Sequence, residues 1–234
     1  MVEALIFDVF GTVVDWRTGI AREAGAVFRH RGIDLDPHVF ADAWRGEYDP
    51  AMARIRDGGR GYIALDILHR ENLDTVLARF GLDDLFDEPA RNAFTHAWEK
   101  LPPWPDSVPG LDRLKARYII APCSNGSIAL MTRLAKFGGL NWDAILGADI
   151  ARDYKPRPAV YLTSAAALGL APEQVMMVAA HNGDLASARE AGLKTAFLPR
   201  PAERGPDQTQ DLEAESDWDV VAADLTDLAA KLGA

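Results

Sequence analysis

Cysteine is almost missing from this chain of 234 residues, which carries Cys123 alone. A single thiol excludes an internal disulfide and any zinc site built from a cage of cysteines. Long apolar runs are missing too, and none approaches the ~18–20 residues that a bilayer span requires. The N-terminus lacks the basic-then-apolar layout of a secretory signal, because Asp8 interrupts the opening apolar stretch early. A cytoplasmic protein without a membrane partner is therefore expected. There is no basic surplus either: the net charge of -10 argues against a nucleic-acid partner, since phosphate binding needs a concentrated basic surface. An anionic small substrate stays open, because it responds to local charge and needs only a few Lys or Arg in a pocket.

What is present suits a globular α/β protein. The length allows one large domain or a domain with an insertion. A hydrophobic fraction of 48% and a charged fraction of 26% are ordinary for such a chain. Short apolar runs recur, each closed by turn residues: Ala4–Phe7, Tyr118–Cys123, Ala144–Gly147, Val175–Ala180 and Thr195–Leu198. Alternating with helical stretches, they predict a Rossmann-like parallel sheet wrapped by helices. Leu185–Ala191, stopped by Gly192, reads as a short helix. The stretch from Thr18 to Trp98 has no convincing strand and several helical patterns, at Ile20–Arg31, Pro37–Asp57, Ile63–Phe80 and Glu88–Lys100. It reads as a helical insertion after the first strand. Helices resume at Pro109–Tyr118, and Pro199–Trp218, rich in Pro, charge and Gln, reads as a long surface loop.

In parallel sheets of this kind, ligands bind beyond the carboxyl ends of the strands. That rim collects Asp8 after the first strand, Ser124-Asn125 after the second, Lys155 after Ala144–Gly147, and His181 to Asp184 after Val175–Ala180. An acid, a hydroxyl with an amide, a lysine and a His/Asp pair meeting from distant positions are hard to explain as packing. From the residues alone, Asp8 could still be a solvated turn acid, a metal ligand or a nucleophile.

Phe7-Asp8-Val9-Phe10-Gly11-Thr12, Ser124-Asn125-Gly126, Lys155-Pro156 and the Asp184 segment resemble, in that order, the four motifs of the haloacid dehalogenase superfamily. The resemblance covers nearly the whole chain. It implies an α/β core of residues 1–17 and 99–234, with a helical cap of residues 18–98. Most members are phosphatases, with an acid two residues after the nucleophile and a pair of acids in the fourth motif to hold magnesium. Here Phe10 replaces the first, and Ala180 stands four residues before Asp184 where the partner acid would be. Phosphoryl transfer needs a divalent ion and a proton donor for the leaving alcohol. Halide departs as a stable anion and needs neither. Trp44-Arg45 in the cap and Tyr161, six residues after Lys155, bring the chain close to the L-2-haloacid dehalogenases.

That resemblance implies covalent catalysis. Asp8 attacks the α-carbon of a 2-haloacid, expelling halide with inversion, and water then hydrolyses the aspartyl ester. Lys155 would keep Asp8 ionised. Ser124 would bind the substrate carboxylate, Arg45 would receive the halide with Asn125 and Phe10 lining the site, and Thr12 and Tyr161 would orient nucleophile and lysine. Arg45 has a plainer reading, as a solvated helix residue paired with Asp42 or Glu47. Water activation stays open between Asp184 and His181, which stands where these enzymes often carry Asn; an inert, carbonyl-bonded His181 is the alternative. His30, His38, His69 and His96 lack metal-like spacing. Trp16, Trp44, Trp98 and Trp104 are expected to pack the cap onto the core, one or two of them walling the cavity. No metal or cofactor is expected, and a homodimer is usual for the resembling enzymes. Two rivals remain: a magnesium phosphatase or phosphonate hydrolase of the same fold, and a catalytically silent ligand-binding member. Phosphonate hydrolases need a cap lysine, and residues 18–98 contain none.

Overall fold

A computed structural model describes residues 1–234. Six strands form one parallel sheet: β1 (Ala4–Phe7), β2 (Ile119–Ser124), β3 (Leu146–Gly147), β4 (Val175–Ala179), β5 (Lys194–Phe197) and β6 (Val220–Val221), in the spatial order β3-β2-β1-β4-β5-β6. The central β1 is buried throughout, and its side chains alternate between two apolar layers. Leu5 and Phe7 join Met176 and Val178 on one face; Ala4 and Ile6 join Val175, Met177 and Ala179 on the other. This is the period-2 alternation of a strand buried on both faces. β1 pairs with β2 on one side and β4 on the other, so the chain winds outward in both directions from it. The crevice at such a switch point is where the fold binds ligands.

Between β1 and β2 the chain makes five helices, α1 (Trp16–Arg31), α2 (Pro37–Gly46), α3 (Tyr48–Arg56), α4 (Leu65–Arg79) and α5 (Glu88–Thr95), before α6 (Ser107–Lys115) returns to the sheet. Side-chain caps decide where several of them begin. The Asp15 carboxylate accepts from the Thr18 N–H, so α1 starts at Trp16, ahead of the apolar periodicity at Ile20; Asp36 and Asp87 cap α2 and α5 in the same way. The expected single helix over Pro37–Asp57 is two, broken at Gly46-Glu47, and the helix expected over Glu88–Lys100 ends in a 3₁₀ turn at His96–Glu99.

An aromatic cluster holds these helices together. Phe40 packs against Phe28, Trp44, Phe80 and Phe94 with ring centroids 5.1 to 6.2 Å apart. Trp44 extends the cluster edge-to-face to Trp98, and Trp98 meets Phe10 edge-to-face at 5.7 Å, which carries the packing to the mouth of the sheet.

The remaining helices are α7 (Ile128–Gly138), α8 (Ala148–Ala151), α9 (Pro158–Ala167), α10 (Asn182–Glu190) and α11 (Leu225–Lys231). No helix is long and apolar enough to cross a membrane. Residues 199–218 form neither helix nor strand, but the expectation of a surface loop is only partly right. Arg200 and Glu203 are buried; Arg200 donates to the Thr12 carbonyl and pairs with Asp106 at 2.7 Å. The loop is thereby strapped across the turn that follows β1.

Phe40→Ala removes the centre of the aromatic cluster and is expected to cost about 3–5 kcal/mol, as large-to-small core changes do. Urea denaturation checks it, and a cost below about 1 kcal/mol would deny the cluster its role.

Candidate active site

Asp8 leaves the end of β1 with its N–H donating to the Val178 carbonyl, so its backbone is set by the sheet itself. The chain then turns tightly: Gly11 donates to the Val14 carbonyl, while Val13 and Val14 both donate to Val9. Gly11 adopts φ +90, and a Cβ there would lie 2.2 Å from the Glu203 carboxylate, so backbone conformation and close approach both call for glycine. The turn folds Thr12 back on Asp8. Its hydroxyl donates to Asp8 Oδ2 at 2.7 Å and accepts from the Ala180 N–H at 2.9 Å, tying the ends of β1 and β4 together.

Lys155 reaches the same point from beyond α8. Its backbone N–H donates to Asn125 Oδ1 at 2.8 Å. Its buried ammonium spans two carboxylates, donating to Asp8 Oδ1 at 2.9 Å and to Asp184 Oδ2 at 2.6 Å. Asp184 stands in the first turn of α10, and its other oxygen accepts from the Tyr161 hydroxyl on α9. Burial works against the charges of Asp8 and Lys155, yet partners prevail. Burial would raise the Asp8 carboxyl, but the charge of Lys155 and the hydrogen bond and charge of His181 hold it far below the usual carboxylate range. Burial would lower Lys155, but Asp184 and Asp8 raise it well above an ordinary lysine. Asp8 is an ionised carboxylate and Lys155 a cation at every physiological pH.

His181 sits on the other side of Asp8. Its Nδ1 lies 3.2 Å from Asp8 Oδ2, and its Nε2 lies 2.9 Å from Glu203 Oε2. The second Glu203 oxygen accepts from Trp16 Nε1 at 2.9 Å. Burial would depress the imidazole, but the Glu203 charge and the hydrogen bonds of Asp8 and Glu203 push it up to about 10, so it is an imidazolium at neutral pH. His181 is thus bonded to two carboxylates and to no carbonyl. Sequence reasoning missed Glu203. An acid within Pro-Ala-Glu-Arg-Gly-Pro carries no periodicity or motif, and only its position against Gly11 and Trp16 reveals it.

Asp8, Phe10, Arg45, Asn125, Lys155, His181 and Asp184 line one cavity of about 320 Å³, with Tyr48 and Met52 among its walls. The guanidinium of Arg45 stacks on the Tyr48 ring at 3.9 Å. It pairs with neither Asp42, which holds Arg17, nor Glu47, which holds Arg79, so it is a free cation over the cavity. Thr12, Ser124 and Tyr161 stand behind the lining. Ser124 is fully buried, and its hydroxyl accepts from the Gly126 N–H at 3.0 Å. Cys123 is buried with its thiol pushed up to about 11 by burial, which leaves it unreactive.

These side chains do not fit a divalent ion. No group of three His, Cys, Asp or Glu is arranged to hold one. The ammonium of Lys155 bridges the two carboxylates, and neither Phe10 nor Ala180 offers a ligand atom in its side chain. The site offers an ionised carboxylate, cationic groups on both sides of it, and a partly aromatic cavity.

A family model of haloacid dehalogenase-like hydrolases matches residues 2–192. The fold superposes on the crystal structure of a defluorinating L-2-haloacid dehalogenase with a TM-score of 0.98 and 52% identity, covering 100% of this chain and 96% of that one. A second L-2-haloacid dehalogenase structure gives a TM-score of 0.96 at 47% identity, covering 100% and 99%. The (S)-2-haloacid dehalogenase 4A of Burkholderia cepacia is 28% identical over 215 residues, 84% of this chain and 83% of that protein. On these likenesses the chain belongs to the haloacid dehalogenase-like hydrolases, in their L-2-haloacid dehalogenase subfamily.

Proposed function

We propose that this protein hydrolyses the carbon–halogen bond of (S)-2-haloacids and haloacetates, without a metal ion, through an ester on Asp8. The observation that carries this reading is the Lys155 ammonium held between Asp8 and Asp184, which keeps the nucleophile ionised in a site where Phe10, two residues on, supplies no acid. Substrate enters with its carboxylate toward the Ser124-Asn125 turn and its halogen toward Arg45. Helices of residues 18–98 form the cap that brings Arg45 over the core of residues 1–17 and 99–234.

In the first step an Asp8 oxygen forms a bond to the α-carbon from the face opposite the halogen. The carbon–halogen bond breaks, and its electron pair leaves on the halide. Lys155 and Thr12 keep the carboxylate aligned, and the Arg45 guanidinium stabilises the departing charge together with the Asn125 amide. In the second step water adds to the ester carbonyl of Asp8, and cleavage between Asp8 Cγ and the substrate-bearing oxygen frees the 2-hydroxy acid. One displacement at the α-carbon inverts its configuration. Walls of Phe10, Tyr48 and Met52 limit water around the carboxylate, which strengthens its contacts with the reacting groups. The likeness to a defluorinating enzyme brings fluoroacetate within the proposed range, since fluoride is held best by short, charge-assisted donors such as a guanidinium.

Halide release from fluoroacetate, chloroacetate and (S)-2-chloropropionate is expected to persist in excess EDTA, the last giving (R)-2-hydroxypropionate. Magnesium-dependent release of phosphate from esters, with no halide released, would overturn the reading. Asp8→Asn is expected to abolish halide release while leaving the circular dichroism spectrum unchanged. Arg45→Ala is expected to slow halide release by about 10²–10³-fold, the cost of one charge-stabilising donor. A change below about threefold, measured by single-turnover halide release, would remove Arg45 from the halide site.

A further inference from the structure

His181 and Asp184 both border the nucleophile, and their surroundings separate them. Both oxygens of Asp184 are committed: one accepts from Lys155 and the other from Tyr161. His181 turns Nδ1 to Asp8 at 3.2 Å and gives Nε2 to Glu203, whose own position is fixed by Trp16. Glu203 is almost wholly buried, at 1% exposure, and a carboxylate is retained in such a place only when it is paired. Its partner is a ring whose other nitrogen faces the atom to be hydrolysed.

We propose, on the two-step reading above, that His181 takes the proton from the water that attacks the Asp8 ester, and that Glu203 is its positioning residue. In the free enzyme the imidazole is protonated between two carboxylates and has no lone pair to offer. Ester formation changes that. When the Asp8 oxygen bonds to the α-carbon, Asp8 becomes neutral and His181 Nδ1 loses its anionic partner. The Nδ1 proton then passes to solvent with the departing halide, while Nε2–H stays bonded to Glu203. Water adds to Asp8 Cγ and gives one proton to Nδ1. The tetrahedral intermediate collapses by breaking the Cγ–O bond to the substrate, and the second water proton ends on the product hydroxyl. Asp8 is again a carboxylate and His181 again an imidazolium. The sum is haloacid plus water giving hydroxy acid, halide and one proton, with that proton released in the first half of the cycle. The base is therefore switched on by the intermediate it serves.

Other charges face His181 as well. Lys155 lies behind Asp8, Asp184 on α10, and Arg204 beside Glu203; Arg45 and Asp49 face it across the cavities they share with His181 and Glu203. Esterification changes the charge of Asp8 alone among these, so it acts on His181 through that contact.

Four experiments test this. In the free enzyme the His181 ring, followed by NMR, is expected to stay protonated through neutrality and titrate at about 10, above its ordinary 6.5. Because the folded value is raised, its stabilisation is full below 6.5 and is lost as pH rises through about 10. Wild-type enzyme mixed in excess with (S)-2-chloropropionate and a pH indicator is expected to release its proton in step with chloride. A proton that appears instead with 2-hydroxypropionate overturns the assignment. His181→Asn is expected to release one chloride per site and hold the ester, seen by intact-protein mass, with turnover lowered about 10²–10⁴-fold.

Glu203→Gln is expected to keep the chloride burst, slow ester hydrolysis about tenfold or more and shift its pH profile, with Glu203→Asp restoring part of the rate. Wild-type turnover in His181→Asn, or loss of the burst in both His181→Asn and Glu203→Gln, overturns the proposal. Absence of halide from the wild type with every haloacid overturns instead the dehalogenation reading beneath it.

Discussion

One ammonium between two carboxylates organises this molecule. Lys155 lies 2.9 Å from Asp8 and 2.6 Å from Asp184 in a nearly solvent-free rim, and none of the three charges would be tolerable there alone. The triad brings together the end of β1, the segment after α8 and the first turn of α10. Its backbone supports follow the same logic: Asp8 is held by the Val178 carbonyl, Lys155 by the Asn125 amide oxygen, and Thr12 links Asp8 to the end of β4. Removing any one charge would strand another, so the ionised state of Asp8 and the packing of this rim rest on the same contacts.

A second network backs onto the first. His181 joins Asp8 to Glu203, Glu203 reaches Trp16, and the loop bearing Glu203 is anchored by Arg200 to Asp106 and to the Thr12 carbonyl. Asp8 consequently has a cation on each side. The two cations differ in what balances them: Lys155 shares Asp8 with Asp184, and His181 shares it with Glu203.

The alternation of short strands and helical stretches was readable from composition and periodicity, because a strand buried on both faces has few ways to be anything else. Four strand-end clusters were readable for the same reason, since a parallel sheet delivers whatever follows its strands to one rim. Helix limits were less legible. Asp15 and Asp87 set them through single side-chain caps, which outweigh apolar spacing at a helix start. The two-residue β6 and the buried anchors of the loop before it were not legible, because Arg200 and Glu203 sit among Pro, Gly and charged residues that locally describe exposed chain.

By itself the sequence determined which residues stand at the strand ends, that Phe10 stands two residues after Asp8, and that Ala180 stands four residues before Asp184. These are facts of local order and residue type. Tertiary structure alone decided the pairings: that Arg45 is left unpaired because Arg17 and Arg79 claim its neighbouring acids, that Asp184 has both oxygens engaged, and that Glu203 stands behind His181. Which charge meets which is settled by distances of a few ångströms between segments far apart in the chain, and no local pattern encodes such distances.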